Sequence, residues 1–326
     1  MVYQNRKKLK LNTIVLPVIF SLFFIIVLAS CQSSPSAPTP EQFYRGRSEF
    51  ALLPEGGELY ITAKVQSARS ILDSLMLGGL SGADLKSFLD MSDTLTAAVF
   101  PPTEEWRYYA AATGRFPGTT SGLFFSTSRD WERKISASGM QYWYSRQSQL
   151  GLYLSSRLAF VSHDDPFVAP PGAKAPEALS SLQENAVLSG WITNPAQAIN
   201  NIIAALDLPI EMPVESLVFA VYPELSGRST NRNNEELYSA VLRFETPSSI
   251  QAGALVIMLN LARMGLDLSG SIEQDGSEMG IQMDIQTLVK IFFSNPPRQE
   301  GNALILTTGI VNGSELALLF NAFSVY

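Results

Sequence analysis

Two stretches of the chain repeat one order of apolar and polar positions. Residues 59–65 read as a strand, residues 187–193 do the same, and each run leads into apolar residues at helical spacing. Ser67 and Asn194 stand at the start of these helical runs, where an N-cap residue is expected. The spacing therefore predicts a strand entering an amphipathic helix in each stretch. The helical positions are Ile71, Leu72, Leu75 and Met76 in the first and Ile199, Ile202, Ile203 and Leu206 in the second.

The repeated order continues beyond these helices. A second strand ends in an aromatic residue and a proline in both stretches, over 95–101 and 217–223, and the two runs align without a gap. Asp275-Gly276 favours a tight hairpin turn near the end of the chain, because both residues tolerate positive φ angles. The remaining predicted elements are third strands over 107–116 and 237–244, second helices over 118–132 and 248–264, and later strands over 150–162 and 303–311.

Together these patterns predict an α+β fold. It consists of two similar β-α-β-β-α-β-type halves, with mainly antiparallel sheets and helices packed on one face. Such a repeat indicates an internal duplication, although the pattern leaves open whether the two sheets merge. A proline-rich stretch over 168–177 favours a linker between the halves. The domain prediction is a first half over 58–167, a linker over 168–185 and a second half over 186–326.

The first thirty residues have the three-part pattern of a secretory signal. Four basic residues within 6–10 precede an apolar run from Ile14 to Ala29, and no acidic residue occurs among the first thirty. This run is shorter than the about 20 apolar residues that a spanning helix needs. Pro17 in its first turn further weakens a permanent membrane helix, so cleavage of the segment is favoured.

The segment closes with Leu28-Ala29-Ser30-Cys31, and Cys31 is the one cysteine of the chain. These four residues resemble the lipobox of bacterial lipoproteins. The resemblance covers residues 1–31 and implies that a diacylglyceryl group is attached to Cys31, that residues 1–30 are removed, and that the new N-terminus is acylated, with palmitate as the typical acid. Two or three chains hold a protein firmly in a bilayer, since each buried methylene contributes about 0.8 kcal/mol. Cys31 is therefore the expected membrane anchor.

Residues 31–57 are predicted to carry the lipid and a tether. Residues 32–41 are rich in serine and proline and bury little apolar surface, which is typical of a solvated, semi-extended linker. Enterobacterial lipoproteins with Asp at the position of Gln32 are retained in the inner membrane. Gln32 therefore slightly favours the outer membrane within an expected cell-envelope location.

The charge distribution argues against nucleic acid as a partner. Removing the four basic residues of the signal leaves 19 Lys and Arg against 30 Asp and Glu, a formal charge of −11 for residues 31–326. Binding of phosphates requires clustered basic side chains, which this acidic region lacks.

The sequence contains no motif that specifies a reaction. The one histidine, His163, precedes two aspartates and a proline, which favours a polar turn over a general base or a metal ligand. Ser121 lies at the wrong spacing for a nucleophile elbow, and the acidic residues over 267–284 lack the spacing of a calcium loop. Glycine-rich phosphate loops are also missing from the sequence. We therefore predict no catalytic residue, no metal and no cofactor.

Two groups of residues are candidates for partner contact. Trp106 and Trp143 lie in aromatic clusters, in which alternate rings of a strand point to opposite faces, so ordinary sheet packing is the competing interpretation. Arg228 and Arg232 lie in a long polar loop over 226–236, which fits either a solvated loop tip or a contact site.

These observations favour a membrane-anchored cell-envelope lipoprotein that acts as a non-enzymatic binding or scaffold protein. Its partner is an envelope protein or ligand that the sequence does not identify. A first alternative is an envelope hydrolase whose carboxylates converge only in the fold. A second alternative is a carrier of an apolar ligand held between the two halves.

Overall fold

The computed structural model describes residues 48–76, 86, 89–100, 107–116, 130–147, 149–163, 165–167, 172–196, 200, 213–224, 236–269 and 294–317. The predicted signal segment, Cys31, the Asp275-Gly276 turn and residues 118–129 of the helix predicted over 118–132 lie outside these ranges. Within them, a 3-10 helix covers Glu49–Leu52, and residues 313–317 form a short helical turn. The longer helices are α1 (Arg69–Met76), α2 (Glu177–Leu182) and α3 (Ser249–Ser269).

The strands in the described ranges form one antiparallel sheet. Their bounds are β1 (Leu59–Lys64), β2 (Ser92–Phe100), β3 (Arg107–Gly114), β4 (Trp131–Ile135), β5 (Gln141–Ser145), β6 (Leu150–Leu154), β7 (Leu158–Ser162), β8 (Leu188–Ile192), β9 (Ser216–Pro223), β10 (Leu237–Glu245), β11 (Arg298–Glu300), β12 (Ala303–Thr307) and β13 (Val311–Asn312). Within these ranges the fold is therefore α+β with a large antiparallel sheet and few helices, which confirms the α+β class and the mainly antiparallel pairing predicted from the sequence.

The sheets of the two predicted halves merge at the centre of the molecule. The strand order is β11-β12-β10-β9-β8-β1-β2-β3-β7-β6-β5-β4, and β13 pairs with β10. β1 and β8 pair side by side, so that Tyr60 lies opposite Trp191. From this central pair the order β8-β9-β10 runs in one direction and the order β1-β2-β3 runs in the other.

Both faces of the sheet are buried over much of its area, because alternate residues of the strands point in opposite directions. We call the face that carries α1 and α3 the helical face, and the other face the N-terminal face. In β9, Phe219 packs on the helical face and Val218 on the N-terminal face. Helical-face core residues include Ala63, Ile71, Leu72, Leu217, Val221, Leu255 and Leu259.

The N-terminal face is covered by the 3-10 helix and α2. The Phe50 ring packs edge-on against Trp191 with 4.6 Å between centroids, and the Trp191 ring stacks on Tyr60 at 4.3 Å. Leu179 of α2 is fully buried in the same cluster. The prediction that all helices lie on one face is therefore wrong. Short apolar segments cover the second face, and local periodicity cannot show which side of a sheet such a segment reaches.

Three other predicted elements differ from the structure. The strand predicted over 150–162 is a hairpin of β6 and β7, whose turn is held by the Ser155 hydroxyl, which accepts hydrogen bonds from the backbone N–H groups of Arg157 and Leu158. Trp131, placed at the end of a predicted helix, begins β4. The strand predicted over 303–311 ends at residue 307, and β13 follows separately.

The remaining elements within the described ranges agree closely with the sequence patterns. Ser248 is the N-cap of α3, where its hydroxyl accepts the Gln251 N–H at 3.3 Å, and the helix continues five residues beyond the predicted end at Met264. The predicted linker over 168–185 contains α2, whose Leu179 contributes to the core, so this segment packs onto the sheet.

Candidate functional site

The polar side of α1 forms one wall of a cleft with a volume of about 500 Å³. Ile71 and Leu72 anchor the opposite side of this helix in the core, which turns Ser70 and Ser74 away from the sheet. Residues four apart lie on the same side of a helix, so Arg69 and Asp73 line the cleft together. The lining residues are Arg69, Ser70, Asp73, Ser74, Glu236, Asn312, Gly313 and Ser314, and we call this feature the polar cleft.

The second wall comes from the C-terminal part of the chain. β13 pairs with the start of β10, which brings Asn312 beside Leu237 and places it near Glu236. Asn312 also caps the helical turn over 313–317: its side-chain oxygen accepts the Glu315 N–H, and the Glu315 carboxylate accepts the Asn312 N–H, both at 2.9 Å. This reciprocal arrangement is a capping box, and it fixes the shape of the wall.

Gly313 lets the C-terminal wall approach α1 closely. A Cβ atom at residue 313 would lie 2.6 Å from the Ser70 hydroxyl and 2.7 Å from the Ser70 carbonyl carbon. Only a residue without a side chain fits here, since backbone atoms of α1 cannot move aside without shifting the helix. The two walls of the polar cleft are therefore held at a short, defined distance.

The hydroxyl of the buried Tyr238 contacts two residues that line the cleft, Ser70 and Glu236. The Tyr238 side chain is 1% exposed, and its hydroxyl lies 2.9 Å from the Ser70 hydroxyl, 3.2 Å from the Ser67 carbonyl and 2.6 Å from a Glu236 carboxylate oxygen. Burial raises the pKa of Tyr238 above its ordinary value, and the hydrogen bond to Glu236 adds to this effect. The phenol thus stays neutral and joins α1 to the second half of the chain.

The charges around the cleft are predominantly negative. The Arg69 guanidinium bonds both Asp73 and Asp90, at 3.0 and 2.8 Å, so two carboxylates share its charge. Glu236 adds a further carboxylate, which is held by the neutral Tyr238 hydroxyl. With the serine hydroxyls and the Asn312 amide, this lining suits a neutral polyhydroxylated or a cationic small molecule better than an anion.

The sequence did not single out these residues. One local signal was present, because Asn312 and Glu315 have the spacing of a capping box before a short helix. The cleft itself brings residues 69–74 together with residues 312–314, and no local pattern indicates that these segments meet.

Of the residues predicted from the sequence to contact a partner, Trp143 lies within the described ranges. Trp143 lies in β5, is half-buried against the helical-face core, and has the Arg133 guanidinium 5.1 Å above its ring. Its neighbours Tyr142 and Tyr144 pack on the other face, as strand alternation requires. Cys31, Trp106, Arg228 and Arg232 lie outside the described residues, so their roles remain predictions.

His163 directly follows β7 and continues its pairing with β3. Its Nδ1 atom accepts the Tyr108 N–H at 3.3 Å, its backbone N–H donates to the Tyr108 carbonyl, and the two rings meet edge-on at 4.1 Å. These bonds extend the β3–β7 pairing by one residue. The described ranges contain no group of three or more His, Cys, Asp or Glu side chains that could hold a metal ion.

Comparison with known proteins supports the fold assignment. No protein-family model matches the chain, and a search of curated proteins finds no match. The solved crystal form I of TP0453 is similar, with a TM-score of 0.51 and 15% identity over 86% of this chain and 99% of that chain. Crystal form III of TP0453 has a TM-score of 0.49 and 14% identity over 86% of this chain and 98% of that one. At 15% identity the likeness to crystal form I shows the fold alone, which is consistent with α+β.

No helix in the described ranges combines the length and the apolar character needed to cross a membrane.

Proposed function

We propose that this protein is a lipid-anchored lipoprotein of the bacterial cell envelope that binds a ligand or partner without catalysing a reaction. The observation that carries the anchor is Leu28-Ala29-Ser30-Cys31 directly after an apolar signal segment. Diacylglyceryl and palmitoyl chains on Cys31 hold the protein at a membrane, with the outer membrane slightly favoured. The role is binding or scaffolding, and the partner is an envelope component.

The way the folded part begins supports a tethered arrangement. Glu49, in the 3-10 helix, accepts a hydrogen bond of 2.8 Å from the Thr62 hydroxyl, and Thr62 lies 3.0 Å from Thr96 in the next strand. Phe50 and Leu53 are buried beside them on the N-terminal face. Residues 49–53 of the predicted tether are thus packed on the central strands, and a lipid-linked segment before them would meet the domain there.

The polar cleft supports a binding role over the hydrolase alternative. A glycosidase needs one carboxyl group that stays protonated, which usually requires apolar surroundings, and a second one that is ionised. Asp73 and Glu236 are both open to solvent, and each is already bound by a hydrogen-bond donor. Both side chains are thus placed to accept hydrogen bonds from a bound ligand.

The β1–β8 pairing argues against an apolar ligand between the halves. A Cβ atom added to Gly190 would lie 2.0 Å from the Tyr60 carbonyl oxygen and 2.8 Å from the Phe219 ring. The halves are therefore in close backbone contact along their shared boundary, which leaves no space for a bound molecule there.

The strand order supports an internal duplication as the origin of this fold. β8-β9-β10 and β1-β2-β3 extend in opposite directions from the central pair, so the order reads alike from the centre outward. An ancestral half that paired with its own copy through its first strand, and later became fused to it, would have this arrangement.

The anchor is tested by the mass of the protein isolated from bacterial membranes. We expect residues 1–30 to be absent and residue 31 to carry the added mass of its lipids. The Cys31→Ser variant should lose both changes and its stable membrane association, whereas Ser33→Ala, which leaves the lipobox intact, should be processed normally. A Cys31→Ser chain with the same processing as the unaltered protein contradicts the assignment.

Ligand binding in the cleft is tested by calorimetry with glucosamine, which is cationic and polyhydroxylated, and with glucose 6-phosphate, which is anionic. We expect weak binding of glucosamine alone, lost in Asp73→Asn and Glu236→Gln. Glu300→Gln, which alters a carboxylate on β11, is the matched control. Equal binding of both compounds, or binding that is unaffected by the cleft variants, rejects the proposed charge selectivity.

A further inference from the structure

Helix α3 has two apolar sides, and only one of them packs against the sheet. Ala252, Leu255 and Leu259 are buried, and the helix lies on β11 and β12. The opposite side carries Ile250, Ile257, Leu261 and Met264, whose exposed fractions are 82%, 63%, 61% and 61%. Ala254 is also exposed on this side. We call these five residues the outer stripe.

The spacing within the outer stripe is that of a helix–helix contact. Successive members are separated by four, three, four and three residues, an average of 3.5, which keeps apolar side chains in line along a helix that faces another helix. A contiguous apolar patch of this kind is unusual on the surface of a monomer, where exposed apolar residues are normally scattered. The stripe is therefore a candidate interface.

The charge on α3 favours a second copy of this chain as the occupant. Among residues 249–269 only Arg263 and Asp267 are charged, and Gln251, Met258 and Asn260 flank the stripe. A helix lying on a membrane surface usually has a polar face rich in Lys and Arg, which α3 lacks. Two acidic chains repel each other unless their contact surface is free of like charges. An uncharged stripe meets that condition, and in a two-fold pair the same stripe is used twice.

We propose that α3 pairs through its outer stripe with α3 of a second copy, forming a two-fold dimer. One helix stripe is smaller than the about 800 Å² per partner of a standard stable interface, so pairing is weak in dilute solution. This inference rests on the proposed lipid anchor, since copies held in one bilayer have a raised effective concentration that compensates for a small interface.

The test uses the full-length lipidated protein in liposomes, with a cysteine introduced on the outer stripe by Ile257→Cys. Cys31, once lipidated, has no free thiol, so a bismaleimide joins copies through residue 257 alone. The matched control is Ile135→Cys on β4, because Ile135 is 69% exposed and lies away from α3. We expect at least about tenfold more cross-linked dimer for Ile257→Cys, and its loss when Leu261→Glu is added.

The same variants distinguish a second copy from lipid. A fluorophore attached to the thiol of the Ile257→Cys variant should remain unquenched by brominated lipids if the stripe is covered by another α3. Selective quenching at residue 257 without cross-linking, or equal cross-linking of both variants, overturns the proposal. Mass analysis of the same samples reports the lipid on Cys31: absent lipid contradicts the proposed anchor, whereas lipidated protein without dimer contradicts the pairing alone.

Discussion

The two halves of the sheet have the same strand order outward from the centre. They differ in the sizes of the side chains that pair near the boundary where the halves meet. Leu59 pairs with Val99 in the first half, and Leu188 pairs with Val221 in the second. Two residues further along, the first half pairs Ile61 with Ala97, a large residue beside a small one. The equivalent pair in the second half is Gly190 with Phe219, which reverses the sizes.

The first half thus has the large residue of this pair on the central strand, whereas the second half has it on the next strand. Ile61 and Gly190 are also direct partners across the β1–β8 pairing, so the glycine makes room for the strand beside it. Interiors of proteins are close-packed, and an addition in one strand must be matched by a loss in its neighbour. A residue at this boundary therefore cannot be replaced by its counterpart from the other half without a second, compensating substitution. This holds even though the strand pairings of the two halves correspond.

The strongest test of this comparison is Gly190→Ala. The added Cβ atom would lie 2.0 Å from the Tyr60 carbonyl oxygen, which is backbone and cannot move without separating β1 from β8. We expect a loss of about 3 kcal/mol or more in the free energy of unfolding, measured by urea denaturation.

The control for this substitution is Gly253→Ala in α3. There the added Cβ atom would meet only the end of the flexible Gln299 side chain at 3.0 Å. Alanine is favoured over glycine within a helix by about 1 kcal/mol, so this variant should be as stable as the unaltered chain or more so. Similar losses in both variants would mean that the boundary is not specially restricted.

The next largest effect is expected for Tyr60→Phe, on the N-terminal face of the same boundary. The Tyr60 hydroxyl donates to the Pro54 carbonyl at 2.7 Å and accepts the buried Gly57 N–H at 2.8 Å. Removing it leaves that N–H without its partner while the ring still stacks on Trp191. We expect a loss of about 1–2 kcal/mol in the free energy of unfolding, measured by urea denaturation. Tyr144→Phe in the β4–β5 hairpin should change this free energy little.

The success of the sequence patterns also differs between parts of the molecule. Strands β1, β2, β8, β9 and β10 were predicted within a few residues because each is rich in apolar, β-branched or aromatic residues and is bounded by turn or proline residues. The hairpin of β6 and β7 was not, since its turn at residues 155–157 contains neither glycine nor proline. Ser155 closes that turn with its side chain, which a periodicity pattern does not register.

The candidate site was much less predictable than the strands. Ser70 and Gly313 meet only because β13 pairs with β10 and α1 lies across them. Their contact depends on the order of strands in the sheet, which includes crossovers that local spacing does not encode. The lipobox is the contrasting case, because signal recognition depends on contiguous residues and can be read directly from the chain.

A smaller effect is expected for Tyr238, whose hydroxyl joins the two halves. Part of this effect should appear only at high pH. Burial raises the pKa of Tyr238, and also that of Tyr108, so the folded protein retains protons that the unfolded chain releases. Stability contributed in this way is present below the ordinary tyrosine pKa of about 10 and is lost as the pH rises above it. Tyr238→Phe should lose about 1 kcal/mol at neutral pH and show a weaker decline in stability above about pH 10.

Thermal unfolding between neutral pH and about pH 11 measures this dependence. Tyr222→Phe is a useful comparison, because burial also raises the pKa of Tyr222, yet its hydroxyl bonds the Leu182 carbonyl of α2 in the predicted linker rather than a residue of the first half. If both variants destabilise the protein equally at neutral pH, the contact between the halves adds nothing beyond an ordinary tyrosine hydrogen bond.

The smallest effect should come from the β4–β5 hairpin, which extends the sheet on the side of the first half. Hydrogen bonding from Arg146 lowers the pKa of Glu132, with Lys134 adding a weaker contribution. A lowered pKa in the folded state stabilises the protein above the ordinary glutamate range, and this stabilisation is lost as the pH falls. Because these charged groups are open to solvent, salt screens their attraction. Glu132→Gln should therefore shift the acid unfolding midpoint slightly at low salt and not at about 1 M salt. A shift that persists at about 1 M salt would contradict a screened ion pair as the source of this stability.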